Sequence, residues 1–595
     1  MASKSFKKCW GSEIVGDGEV RFRLWATGQK SVILRLEGKD IEMTPAGEGW
    51  FEHLASGVAA GAAYHFVLAN GMTVPDPAAR AQKSDVNGPS LVVDPEHYRW
   101  QNTDWKGRPW AESVVYELHI GTFTPEGTFA SASEKLPYLA DLGITMIEVL
   151  PLSQFGGDRG WGYDGVLLYA PHSAYGSPDD FKAFVDTAHK LGISVVLDIV
   201  LNHFGPEGNY LPLLSPDFFH KERMTPWGAG IAYDVAAARS YMVEAPLFWL
   251  KEYFLDGLRF DAIDQIEDSS EKHALIDIAE RIRREFPDRQ IHLSTEDCRN
   301  VTFLHPRDAD GSAPLFTAEW NDDFHNAVHV FATGETHAYY QDFAREPEKL
   351  VARTLTEGFA YQGEVAPQSG EKRGVISVDQ PPVTFIDFIQ NHDQIGNRAL
   401  GERLIELAGA ERTKALLAML LLSPHIPLLF MGEEYGETNP FLFFTDFHGE
   451  LAKAVREGRA REFAGHAGHE GTHVPDPNDK QTFVMSTLDW GKPASEEGKQ
   501  WLAQTKELLA LRQRYIVPLL ANAGGKSGKV LKTAEGFLAV SWTFPDGTLS
   551  LALNIAEADQ PLPDMPGKTI FAWPAEETVL SQNSILVRLA SGEGK

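Results

Sequence analysis

The chain is poor in cysteine, in positive charge and in long apolar runs. Cys9 and Cys298 are the only cysteines among 595 residues. They exclude a disulfide framework and a four-thiolate metal site. No apolar run reaches the roughly 18 residues that a membrane span needs. The longest candidate, Ala415 to Met431, is interrupted by Ser423, Pro424, His425 and Pro427. Lys4, Lys7 and Lys8 are followed by no apolar segment of the signal-peptide kind, so a cytoplasmic location is expected. Lys and Arg number 54 against 83 Asp and Glu, a net charge of −29. That balance argues against nucleic acid and against an anionic membrane as partner, and it suits a neutral substrate. Repeat arrays and low-complexity segments are missing as well.

The residues that are present divide the chain into three patterns. Up to about residue 100, short alternating runs such as Val20–Trp25, Ser31–Leu36 and Ala63–Leu68 are punctuated by Gly, Pro and Asp. They predict an N-terminal β-sandwich over residues 1–105, resembling a carbohydrate-binding module. From Val114 apolar strands alternate with helical stretches. Eight candidate strands follow: 114–120, 146–150, 195–200, 258–263, 291–296, 315–320, 383–389 and 426–431. Helices are expected between them at 130–142, 179–191 and 270–285. Eight βα repeats predict an α/β fold, a (β/α)₈ TIM barrel over residues 106–520. A Pro- and Gly-rich insertion at about 204–234 follows the third strand, and a helix from Gln500 to Leu520 closes the barrel. Strands return after Gly528, predicting a small C-terminal β-domain over 521–595.

Active sites on such barrels lie at the C-terminal ends of the strands. Strand four, Leu258-Arg259-Phe260-Asp261-Ala262-Ile263, places Arg259 and Asp261 on one face at period two. Taken alone the pair reads equally well as a structural ion pair. Glu296 ends strand five, and Gln390-Asn391-His392-Asp393 ends strand seven. Asn202 and His203 follow strand three. Three carboxylates at matching strand ends fit glycosidic cleavage, which needs one ionised carboxylate and one protonated carboxyl. Arg259 keeps Asp261 ionised, Glu296 has no base next to it in sequence and suits the acid, and Asp393 suits sugar hydroxyls.

These residues stand in four ordered stretches: Asp198 to His203, Gly257 to Asp261, Thr295-Glu296-Asp297 and Asn391-His392-Asp393. Together they resemble the four motifs of the α-amylase family of glycoside hydrolases. The resemblance implies a retaining double displacement, with Asp261 as nucleophile, Glu296 as acid/base and Asp393 as transition-state stabiliser. It places Arg259, His203 and His392 around the sugar being cleaved, with Tyr163 stacked on it and Asp164 beside it. Further stretches, among them Gly156 to Gly165, Asn202 to Tyr210, Thr225 to Gly228 and Trp320 to His325, resemble the trehalose-releasing branch of that family. The substrate implied is an α-1,4-glucan capped by a terminal trehalose. Trp320, Asn321, Asp322 and Asp323 are the candidates for holding the trehalose unit. A functional pairing with a maltooligosyltrehalose synthase is implied too. The alternatives are a glycogen branching enzyme using the same residues, another α-glucan hydrolase, or a non-catalytic sugar-binding barrel. Many amylases hold calcium after strand three, where Asn202 matches a ligand position. Residues 204–234 offer no carboxylate cluster of calcium spacing, so no metal and no cofactor is expected.

Overall fold

Alternation decides the N-terminal layers. In the strand Glu19–Trp25, Val20, Phe22 and Leu24 are buried while the residues between them are not. The computed structural model, which describes residues 5–16, 18–463, 474–574 and 578–592, pairs this strand with Gly11–Gly16 and Trp50–Ser56, and Thr44–Gly47 completes an antiparallel sheet. A second sheet holds Lys39–Glu42, Val32–Leu36, Ala63–Leu68 and Thr73–Val74. Phe22 of one sheet meets Tyr64 of the other edge to face, 4.9 Å between ring centres. Trp10 joins these layers to the next part of the chain, lying 5.1 Å from the ring of Tyr241. Beside it Arg80 and Glu252 form a buried ion pair at 2.9 Å.

The middle of the chain is a closed barrel of eight parallel strands. They are Val115–Leu118, Met146–Val149, Ser194–Val200, Gly257–Asp261, His292–Thr295, Ala318–Trp320, Phe385–Asp387 and Ile426–Phe430. All eight overlap the strands expected from sequence. Because side chains alternate along a strand, two faces emerge, one against the helices and one inside the barrel. The interior is filled at its base by an apolar cluster that includes Val115, Met146, Val196, Ile386 and Leu428. Two residues further along the first four strands the same face turns polar, with Glu117, Glu148, Asp198 and Arg259, all buried. The base is therefore a packed core, and the upper layer is the floor of a site.

Several elements differ from expectation. Strand six starts at Ala318 rather than 315, because the Phe316 N–H is bonded to the Leu304 carbonyl. The helix expected over 130–142 is two, Phe129–Ser133 and Leu136–Leu142, with Pro137 in the first turn of the second. The helix expected from 270 starts at Ala274, where Asp268 accepts the first free N–H. The insertion after strand three contains a hairpin, Phe219–Thr225 with Gly228–Ile231. The closing helix runs Glu496–Leu511, widens into a π turn at Arg512–Ile516 and ends with Val517–Leu520. In that turn buried Arg512 caps the carbonyls of Leu421, Ser423 and His425. The C-terminal sheet has five strands, including an edge strand, Lys568–Trp573, that sequence reading missed because most of it faces solvent. Among the described residues no helix is long and apolar enough to cross a membrane.

Candidate active site

A cavity of about 390 Å³ opens at the C-terminal end of the barrel. Arg259, at the end of strand four, forms its floor. Its guanidinium donates to Asp198 Oδ2 at 2.7 Å, to Asp261 Oδ1 at 2.7 Å and to Glu296 Oε2 at 3.2 Å. The indole of Trp320 lies beneath it, 4.3 Å from the guanidinium carbon. The period-two pairing of Arg259 and Asp261 is thus an ion pair facing the cavity. Arg259 also reaches Glu296, a contact invisible in sequence because 37 residues separate the two.

The turn after strand four fixes how the two carboxylates meet. Ala262 takes a left-handed conformation at φ 41°, costly for a residue with a side chain. In that conformation its N–H donates to Glu296 Oε2 at 2.7 Å. Asp261 is held further by the Asn202 amide, which donates to its carbonyl at 3.0 Å and to Oδ2 at 3.3 Å. Asp261 and Glu296 remain partly open, at 12% and 23% side-chain exposure. Burial pushes the Glu296 carboxyl well above its ordinary range; the Arg259 charge pulls the other way, and Asp261 and Asp322 add to the rise.

The third carboxylate comes from the junction after strand seven. Asn391 caps the short helix His392–Gly396, its side-chain oxygen accepting the N–H groups of Asp393 and Gln394. Asp393 projects from the first turn, exposed, and accepts from Asn397 at 2.7 Å. The ring of Tyr163 stacks on His392 with 5.1 Å between centres, and its hydroxyl donates to Asp198 at 2.5 Å. Gly162 enables that placement. It has φ 106°, and a side chain there would collide with the Pro151 carbonyl. His203 completes the wall. It bonds Asn202 and the Tyr163 carbonyl, and burial lowers its pKa.

The structure thus brings Tyr163, His203, Arg259, Asp261, Glu296, Trp320, Asp322, His392 and Asp393 to one cavity. Asn321, Asp323 and Asp164 do not line it. Asn321 is fully buried, capping the helix Asp322–Thr333 and donating to Gly358 O and Asp387 Oδ1. Asp323 is also fully buried, accepting from Asn300, Ala360, Tyr361 and Arg373. Both belong to the framework because successive residues of a starting helix point about 100° apart. Asp164 does not line the cavity, and burial raises its carboxyl to about 6. Asp322 does face the cavity, where burial and then Asp393 raise it to about 7.

Sequence reading missed several lining residues: Trp161, Trp227, Gln394, Asn397 and Phe443. Trp227 sits at the hairpin turn of the insertion, half exposed, with its ring stacked 4.7 Å from that of His203. The stretch Thr225 to Gly228, singled out in the sequence by its resemblance, was the available signal. Phe443 lies in an irregular stretch after strand eight that carries no motif. Among the described residues no three His, Cys, Asp or Glu side chains group as a metal site.

The alpha amylase catalytic-domain family matches residues 87–213, the part from the end of the N-terminal layers to the insertion. Malto-oligosyltrehalose trehalohydrolase of Deinococcus radiodurans is 42% identical over 90% of this chain and 89% of its own length. The protein of that name from Saccharolobus solfataricus is 38% identical, covering 89% of this chain and 91% of its own. A crystal structure from Salmonella typhimurium, described there only provisionally as an alpha amylase, superposes with a TM-score of 0.97 at 71% identity, covering 98% of this chain and all of that one. With nearly full-length identity at this level and the barrel and carboxylates in place, the chain belongs to the malto-oligosyltrehalose trehalohydrolases of the alpha-amylase family.

Proposed function

We propose that this cleft hydrolyses the α-1,4 bond next to the terminal trehalose of a maltooligosyltrehalose, releasing trehalose and a maltooligosaccharide. The observation that carries the chemistry is Arg259 holding two carboxylates in unlike environments. Asp261 is ion-paired at 2.7 Å, while Glu296 is pushed towards its protonated form. In this reading Asp261 attacks the anomeric carbon as Glu296 gives its proton to the departing glycosidic oxygen. Glu296 then takes a proton from water, which attacks the same carbon and frees Asp261, with net retention. Asp393, His392, His203 and Tyr163 surround the sugar that is cleaved. Of the four residues expected on the trehalose side, Asp322 keeps that assignment, because it lines the cavity, while Trp320 lies buried beneath Arg259.

The substrate side follows from the relatives, whose name specifies a trehalose-capped oligosaccharide. We further propose that the enzyme is cytoplasmic, which suits its two unpaired cysteines, and that it acts on the product of a maltooligosyltrehalose synthase. The boundaries near residues 105 and 520 are proposed likewise, supported by the change of sheet type on either side. The test is incubation with trehalose-capped and plain maltooligosaccharides. Rapid free trehalose with little action on the plain chains is expected. Loss of amylose iodine staining without new reducing ends would instead identify a branching transferase.

A further inference from the structure

Strand one carries one charged residue into the barrel, Glu117, which is 1% exposed. A carboxylate at that depth is costly unless hydrogen-bonded. Both its oxygens are used on a single residue, 275 positions away in sequence. Oε2 accepts the backbone N–H of His392 at 3.1 Å, and Oε1 meets its ring Nδ1 at 2.5 Å. Tyr163 stacks on the same ring, and Trp161 meets it edge to face at 5.6 Å. The ring is fixed in position, in plane and at Nδ1. Nε2 is the ring nitrogen left for the cavity that His392 lines.

The charged groups around this histidine act in a definite order. Burial alone would lower its pKa. The Glu117 charge and hydrogen bond, then Asp393 on its own helix, outweigh that, with Arg259 of strand four opposing, and the result lies above the ordinary value. His119, just past strand one, offers no competing charge, since burial lowers it to about 3. Glu148 on strand two, the other carboxyl beside Glu117, is driven by burial well above its ordinary range.

We infer that Glu117 is a positioning residue, clamping His392 as an imidazolium whose Nε2–H is a charged donor to hydroxyls of the sugar being cleaved. The consequence for catalysis rests on the glycosidase reading above; the clamp does not. The test uses the full chain with ¹⁵N-labelled histidines, His392 being assigned by its disappearance in His392→Asn. In the native protein His392 is expected to titrate above the ordinary value of about 6.5. In Glu117→Gln it titrates lower. Glu117→Gln also lowers kcat/KM by up to about a hundredfold, the cost of misplacing a positioned group. In a His392→Asn background the same change adds no further loss. Identical titration of His392 in native and Glu117→Gln protein overturns the inference, and so does an equal loss in both backgrounds. Should Glu117→Gln fail to fold, titration of His392 at or below the ordinary value in the native protein overturns it, and retention of the raised titration in Glu117→Asp supports it. Inactivity of the native protein on the capped substrate, with the titration as expected, removes the glycosidase reading and leaves the clamp standing.

Discussion

Two short stretches at the barrel mouth behave differently. Arg259 and Asp261 lie within strand four, and both reach the cavity. Asn321, Asp322 and Asp323 lie where strand six becomes a helix, and only Asp322 does. The first pair obeys the two-residue period of a strand, so its shared face was readable from spacing. The second stretch begins as an N-cap and continues at about 100° per residue, which sends its neighbours apart. Three polar residues in a row thus become a cap, a cavity wall and a framework anchor. Residue type announces polarity, while backbone geometry at the junction decides which residue can meet a substrate.

Substitutions in the two stretches break or sharpen that contrast. The largest effect is expected at strand four. Asp261→Asn should lower kcat on the capped oligosaccharide by about 10⁴ or more, the scale of losing a nucleophile, with an unchanged thermal transition. Substantial residual turnover would return the strand-four pair to a structural role. Next is Glu296→Gln, with an expected loss of about 10² to 10⁴, the usual worth of a general acid. Because its pKa is raised, Glu296 carries its proton below that pKa and loses it as pH rises. The native profile should therefore fall on its alkaline side, and a leaving group needing no protonation should restore activity to the variant. A profile that keeps its alkaline limb in Glu296→Gln would assign that limb to another group.

The helix-start residues should divide. Asp323→Ala leaves Arg373 without its carboxylate and the Ala360 and Tyr361 N–H groups without their acceptor, which should cost about 3 kcal/mol of stability. Turnover per folded molecule should barely change, and denaturant titration beside active-site-normalised kinetics separates the two. A large loss of turnover in fully folded Asp323→Ala would place it back in the site. The smallest effect is expected from Asp322→Asn. Losing about 1 kcal/mol of hydrogen bonding is worth about fivefold in kcat/KM. The change also removes a negative neighbour that helps raise Glu296, so the alkaline limb should move to lower pH. A shift to higher pH would contradict the electrostatic assignment.

The same contrast explains what was legible in the sequence. Eight strands could be read because a barrel strand buried on both faces is a near-continuous apolar run. A charge inside such a run, as at Asp261, stands out. Helix breaks at Glu134-Lys135 and the start at Ala274 depend on caps and a proline that compete with a continuous apolar pattern. Contacts such as Arg259 with Glu296 or Glu117 with His392 join residues far apart in sequence, and no local period encodes them. Trp227 was visible as a residue but not as a wall, because the hairpin that carries it lies in a stretch read as loop.

The central claim, that Asp261 and Glu296 cleave next to a terminal trehalose by double displacement, is tested most directly by proton NMR of the first turnovers on a trehalose-capped maltooligosaccharide. The account predicts free trehalose and an equal amount of new reducing end, appearing first as the α anomer and mutarotating afterwards. A new end that appears first as β, or cleavage that leaves the trehalose attached, would contradict it.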